Sequence, residues 1–465
     1  MGSLVVLVAL KTLPDWYTIA FDAPKSVSLA LEMGGENGTG DIRVLPAMQD
    51  AVRETMAEIE LAVQTRVRKN SSDTDRATGN MVWAAHVHRT TRSVTGDKGQ
   101  TVDPQLHIHA TVLNATFDSV ENKWKAIQLG EIVRDKFYYQ SAFHSRLSSR
   151  LSALGYGIEK DSNSFRLTGI DRATVEKFSR RTAVIEVEAE RPGITDAKAK
   201  GELGRRTHEK KSKSPVGMSE LRAEWDRRLA PEERRAVRSA ANGLVKGDEA
   251  MTPEQAKDYA LEHSFTNASA VSEMRLKAEA LAFAVGSIRP EDVSDIAHHS
   301  EVIAQMRDGQ LMTTTKTVLR DEVAMLQFAK DGQRKYSPFV NAAHMPEDSL
   351  GGLSTEQKKA AMHVLSSRDT VTGVVGHAGT GKTRMMRATI DALETGSGRK
   401  VYVFAPSSQA SRGVLKREGF ENAETMEMLL KSEKLQTETS DLRLAGNVDC
   451  GAHDAGPLTG RLNET

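Results

Sequence analysis

The stretch Gly376-His-Ala-Gly-Thr-Gly-Lys-Thr383 constrains this chain more than any other part of it. It fits G-x-x-x-x-G-K-[ST] without deviation. Thr370 to Val375 before it is a β-branched strand pattern, and Arg384 to Leu393 after it is helical. A strand, a glycine-rich turn and a helix in that order form a phosphate-binding loop. Glycines let backbone N–H groups turn inward on phosphates, and the helix N-terminus adds a favourable dipole. Gly376, His377, Ala378, Gly379, Thr380 and Gly381 would cradle the phosphates. Lys382 would reach the β- and γ-phosphates, and Thr383 would hold magnesium, so the expected cofactor is ATP with Mg.

A second signal lies far upstream, in Asp103-Pro-Gln-Leu-His107-Ile-His109. Side chains alternate faces along a strand, so His107 and His109 project to the same side. His86 and His88 repeat the spacing on a second strand-like run, Asn80 to Arg89. If the two strands pair antiparallel, one divalent cation can be clamped between them, with His88 or His86 as the third ligand. Imidazole suits zinc, nickel, copper or iron, and magnesium would want more oxygen. Three histidines with a position left open make a catalytic arrangement rather than a closed structural one. Asp103 could orient a ligand from behind.

Composition sets only loose bounds. The chain has 465 residues, with 63 basic and 63 acidic side chains. Two or three domains are expected, and a net charge of zero neither supports nor excludes nucleic acid. The single cysteine, Cys450, excludes an internal disulfide framework and a cysteine zinc cluster. The apolar run Leu4 to Leu10 is too short to span a bilayer and lacks the basic flank of a signal peptide, so it reads as a buried strand. No membrane segment is expected, and the chain reads as cytoplasmic.

Between these landmarks, Ser26 to Leu31 reads as a short strand or a helix start, and Leu45 to Arg68 as a long helix. Lys69 to Thr78 reads as a polar loop, and His107 to Ala115 as a strand. Ile132 to Leu154 reads as a helix stopped by Gly155. Residues 186–215 are charged, carry the basic run Arg205 to Lys213, and read as a linker. Residues 216–345 read as mostly helical. The tail 438–465 is polar and Gly-rich, and is expected to be disordered.

The runs His88-Arg-Thr-Thr-Arg92 and Asp103 to Asn114 resemble the three-histidine motif of MobF-type conjugative relaxases of the TrwC/TraI kind. Phe21-Asp-Ala-Pro-Lys-Ser-Val-Ser-Leu29 resembles that family's early strand motif, and Leu151 to Tyr156 and Phe178 to Thr182 are similar too. The resemblance covers most of residues 20–185. It implies a two-layer α/β HUH endonuclease domain, with His88, His107 and His109 as metal ligands. The metal would polarise the scissile phosphate of single-stranded DNA, and a tyrosine would attack it. Manganese, magnesium and zinc stay open. The resemblance also places the nucleophilic tyrosines ahead of the Phe21 motif, in a segment this sequence does not contain. An aspartate of the family is replaced by Thr18, and the loop between His88 and His107 is longer than usual. Tyr17, Tyr138 and Tyr139 match no nucleophile and read as structural aromatics, so the catalytic residue is unassigned.

Leu353-Ser-Thr-Glu-Gln-Lys resembles the glutamine motif of superfamily 1 helicases, in which Gln357 would read adenine. Val401 to Ser411 resembles the same family's second strand and DNA-contacting turn. The expected organisation is therefore multidomain α/β. It comprises a relaxase domain at 1–185, the linker, a helical pre-helicase region at 216–345 and the start of a RecA-like P-loop helicase domain at 346–437. No later strand carries the Asp-Glu pair of a complete motor. The reading is a conjugative relaxase–helicase homologue, cut at both ends. It would act on single-stranded transfer-origin DNA with other relaxosome and coupling proteins. The alternative is a non-catalytic DNA- and ATP-binding fragment working with an intact partner.

Overall fold

A computed structural model describes residues 5–7, 16–69, 72–92, 94–96, 99–162, 164–190, 217–242, 248–266, 268–340, 350–377, 379–398, 400–406, 408–438 and 444–449. The chain divides into two compact units between Thr315 and Lys316.

The first unit is organised by one antiparallel sheet. Its strands are β1 (Val5–Leu7), β2 (Trp16–Asp22), β5 (Trp83–Thr90) and β6 (Pro104–Leu113), in the order β1-β2-β6-β5. Between β2 and β5 the chain forms a hairpin, β3 (Gln64–Lys69) and β4 (Ser72–Ala77). The pleat of β6 sorts its side chains: Leu106, Ile108, Ala110 and Val112 are buried, while His107 and His109 face the other way. In β2, Tyr17, Ile19 and Phe21 are buried on the same side as the apolar residues of β6.

Helices cover that apolar face. They are α1 (Lys25–Met33), α2 (Val44–Leu61) and α3 (Lys136–Ala153). Phe21 meets Phe143 of α3 edge-on, with ring centroids 5.2 Å apart. Gly155, at φ 95°, ends α3 in the left-handed conformation that glycine tolerates. The result is the expected two-layer α/β arrangement, with the histidines on the face away from the helices.

The same core takes in later parts of the chain. Helix α4 (Arg180–Glu190) precedes the undescribed residues 191–216, and α5 (Met218–Arg228) and α6 (Glu273–Phe283) follow them. Trp225 of α5 is fully buried, and Leu276 and Leu281 of α6 join the core of the histidine sheet. The helices beyond residue 216 therefore complete the first unit rather than standing apart from it.

In the second unit α7 (Lys316–Asp331) is followed by α8 (Thr355–Ser366), strand β9 (Val371–Gly376) and α9 (Lys382–Ser397). Leu353, Ala361, Leu365, Val374, Met385 and Leu393 form its separate core. This is the strand–loop–helix order expected of a P-loop fold. Among the described residues no helix is long and apolar enough to cross a membrane.

Several local expectations change. Of the two readings of Ser26 to Leu31, strand or helix start, the helix is the one formed: Pro24 sets the chain ahead of α1, and all of Ser26 to Met33 is buried. The long helix stops at Leu61, and the supposed loop 69–78 is half of the β3–β4 hairpin. Thr65 and Val67 are buried on one side of β3 while Arg66 and Arg68 are exposed, so period two displaces the helical period there. The region 216–345 holds a three-stranded sheet, in which β7 (Val302–Arg307) and β8 (Gln310–Thr315) pair beside Val271–Ser272. In the tail, β10 (Leu444–Asp449) pairs parallel with β9, from Val371↔Leu444 to Gly376↔Asp449. Arg205 to Lys213 and Cys450 lie outside the described residues.

Candidate metal centre and nucleotide loop

The histidine face is assembled by strand register. β5 and β6 pair antiparallel with His88 opposite His107 and His86 opposite His109. His88, His107 and His109 converge, and one ring nitrogen from each lies within 4.8 Å of the other two. Their ring centroids form a nearly equilateral triangle with sides of 5.0, 5.0 and 5.1 Å. His86 is exposed on the same face but outside that group. Three imidazole nitrogens at this spacing fit one divalent ion, and they leave its remaining positions to other ligands.

His107 and His109 are held in the form that binds metal. Burial pushes His107 down to about 4; His109 and His88 add to this, and the bond to Gln105 O works against it. His109 is also lowered, first by burial and then by the charges of His88 and Arg92. His107 Nδ1 bonds to the backbone carbonyl of Gln105 at 3.0 Å, which turns Nε2 toward the other rings.

Asp103 does not orient a histidine. It is 2% exposed and binds arginines: Arg180 Nη2 at 2.7 Å, Arg180 Nε at 3.0 Å and Arg228 Nη1 at 2.9 Å. These bonds hold its carboxyl below the usual range despite burial. The reason is positional: Asp103 stands just ahead of β6, so the pleat that turns His107 and His109 to one face does not govern it, and its side chain is buried against the arginines. Asp22 is in register with His107, and burial raises its carboxyl to about 6. Lys25 donates to Pro104 O at 2.8 Å and is lowered to about 8 by burial.

The three tyrosines are core residues. Tyr17 is 7% exposed, Tyr138 5% and Tyr139 2%. Burial, followed by the charge of Glu58, raises the phenols of Tyr138 and Tyr139, and Tyr138 also bonds to Glu58.

In the second unit, Gly379 and Gly381 take left-handed φ values of 79° and 76°. Lys382 Nζ curls back onto the carbonyls of Gly376 and His377, both at 2.9 Å. Thr380 Oγ1 donates to His377 O at 2.8 Å. Gln357 caps α8 with Ser354 and also donates from Nε2 to Thr380 O at 2.9 Å. A Cβ on Gly381 would lie 2.6 Å from that Nε2 and would displace the amide, and the left-handed backbone at Gly381 favours glycine in any case. Thr383 lies in the first turn of α9, and Ala378 lies outside the described residues.

The model of the TrwC relaxase family matches residues 16–231. The chain is 27% identical over 418 residues to the multifunctional conjugation protein TraI of Escherichia coli. The chain belongs to the TrwC relaxase family. An AAA domain model matches residues 352–453, around the P-loop.

The TraI alignment takes in 84% of this chain but 22% of TraI, and the K12 strain's protein gives the same coverage. The chain thus spans about a fifth of the length of these relatives. Solved structures of the conjugative relaxase TrwC with OriT DNA are also similar. The metal-free one is 31% identical, covers 46% of this chain and 70% of that one, and has a TM-score of 0.40. A metal-bound one is 30% identical, covers 48% and 72%, and has a TM-score of 0.41.

Within this relaxase domain, sequence reasoning missed the arginines that grip the histidine strands. Glu32, 1% exposed, takes Arg89 at 2.6 and 2.9 Å and Arg222 at 3.1 Å. Arg89 follows His88 directly. Trp225 Nε1 donates to Val102 O at 2.9 Å. Arg222, Trp225 and Arg228 all lie on α5, so one helix holds the end of β5 and the start of β6. No local pattern marks these partners, because they come from across the undescribed residues 191–216.

Proposed function

We propose that this chain is the metal- and single-strand-binding part of a conjugative relaxase–helicase. The observation that carries the reading is the convergence of His88, His107 and His109 within 4.8 Å on the open face of a TrwC-family sheet. These three residues would hold a divalent cation, with manganese, magnesium and zinc as candidates. When bound, such an ion neutralises charge on the phosphate oxygens of the strand and orients them. The chain's own residues keep His107 and His109 neutral and hold all three imidazoles in register. The expected substrate is single-stranded transfer-origin DNA in the cytoplasm, alongside relaxosome and coupling proteins. The P-loop, with Gly376, His377, Ala378, Gly379, Thr380, Gly381, Lys382 and Thr383, braced by Gln357, is the expected site of ATP with magnesium.

On this reading the chain binds strands without joining to them. Tyr17, Tyr138 and Tyr139 are buried, and burial raises the phenols of Tyr138 and Tyr139, so none of the three serves as the nucleophile. The test uses labelled origin-like single strands with manganese, for the wild type and for H107A. Metal-dependent binding that H107A loses, without a covalent adduct, supports the proposal. A protein–DNA adduct, or binding indifferent to both metal and His107, refutes it.

A further inference from the structure

We infer that Asp22 is the outer carboxylate of the histidine centre: its oxygens accept from the hydration water of the cation, which favours manganese or magnesium over zinc. This rests on the reading that the triad holds a divalent cation.

Sheet register places Asp22 there. β2, β6 and β5 lie side by side, and their pairing sets the residues in rows across the sheet. One row is Asp22, His107 and His88; the next is Ala20, His109 and His86. Tyr17, Ile19 and Phe21 of β2 are buried under the helices, so Asp22 turns to the histidine face. Directly paired residues hold their Cβ atoms about 5 Å apart on one face. Of the residues in these two rows, Asp22 alone is an acid.

Its carboxylate is also left open. Other deeply buried acids of this unit each hold an arginine: Asp103 takes Arg180, Glu32 takes Arg89 and Asp118 takes Arg76. Asp22 is half-buried, and among the described residues no donor bonds to its carboxylate. Lys25 acts on it through space, but gives its ammonium to Pro104 O at 2.8 Å. A carboxylate drawn out of water without a partner is costly, and a cation at the triad supplies the missing charge.

The contact is through water. An aspartate is shorter than a histidine, so its oxygens stand nearer the sheet than the imidazole nitrogens that converge. The group whose ligand atoms lie within 4.8 Å of one another accordingly holds the three histidines and not Asp22. Three imidazoles suit zinc, whereas manganese and magnesium keep more oxygen around them. An acceptor for that water therefore sets which ion is preferred.

The test titrates the full chain with manganese alone and with zinc alone, following free manganese by its paramagnetic resonance and zinc by an indicator dye. D22N should lower manganese affinity by about 10–100-fold and zinc affinity by less, and D22E, which keeps a carboxylate, should recover part of the loss. With metal chelated, D22N should raise the unfolding midpoint, because it removes an unpaired buried charge. D22S repeats the comparison if D22N fails to fold. Unchanged manganese affinity in D22N overturns the inference. So do equal losses of both metals with a lowered metal-free midpoint, which mark a residue that only supports the fold. H107A separates the two readings. If H107A binds manganese as the wild type does, the triad reading falls and this inference with it. If H107A loses manganese while D22N keeps it, the triad stands and only the role of Asp22 is lost.

Discussion

Asp103 and Arg180 are 77 residues apart in the chain and meet through two guanidinium nitrogens, at 2.7 and 3.0 Å. The carboxylate lies one residue before the histidine strand, and the arginine opens the helix that follows the relaxase core. Arg228 adds a further contact at 2.9 Å. The bond between Asp103 and Arg180 thus fixes where β6 begins, and with it the height of His107.

Replacing Asp103 with Asn should destabilise the first unit. A buried carboxylate is removed while Arg180 and Arg228 keep their charge; both are partly solvated, so about 3 kcal/mol is expected, at the low end for a broken buried pair. Urea unfolding should show the loss. Because folding depresses this carboxyl, its contribution is present above the ordinary carboxylate range and is lost as pH falls below it. D103N should therefore lose least against wild type in acid. Equal losses at neutral and acid pH would contradict this account.

Trp225 tests whether the helices past residue 216 support the metal site. It is fully buried, and its indole N–H holds Val102 O. W225F keeps most of the packing and should cost about 1 kcal/mol for the hydrogen bond. W225A should cost about 3–5 kcal/mol through the cavity left behind. Both should weaken manganese binding at the triad, though neither touches it. Unchanged metal affinity in a folded W225A would show that α5 only packs.

The two sites were legible because each is local. The histidines stand at a spacing of two on strands whose apolar residues alternate with them, and the P-loop carries its own strand and helix. The grip on the histidine strands was not legible. Asp103, read as a partner for a histidine, lies just ahead of the pleated strand and meets arginines 77 and 125 residues away. The β3–β4 hairpin was missed because charged residues such as Arg66, Arg68, Asp73 and Asp75 mask its period. β10 was read as part of a disordered tail because a strand of Gly, Asn and Asp has little propensity of its own and is defined by its pairing with β9.

Lys382 should dominate nucleotide binding. Its ammonium rests on the carbonyls of Gly376 and His377, which hold it at the mouth of the loop. K382A should lower the affinity for fluorescent ATP by about a hundredfold, the worth of a pair of charge-assisted hydrogen bonds. Gln357 has both ends of its amide engaged, with Ser354 and with Thr380. Q357A should weaken ATP and GTP alike, by loosening the loop. A loss confined to ATP would show instead that Gln357 reads adenine.

His107 should set the acid limit of the metal-free site. Its folded value of about 4 lies below the ordinary 6.5, so between these values the unfolded chain binds a proton that the folded chain does not. Stability should rise with pH through that window and be lost as pH falls from 6.5 toward 4. H107N should flatten the profile there and leave the lower, Asp103-dependent loss in place. Metal uptake should follow the same proton, because a cation competes with it only where the ring is charged. Affinity should therefore hold well below pH 6 and collapse only as pH approaches about 4. Unfolding midpoints and manganese titrations across this range, on wild type and H107N, measure both effects. A wild-type profile unchanged by H107N would place the titrating group elsewhere.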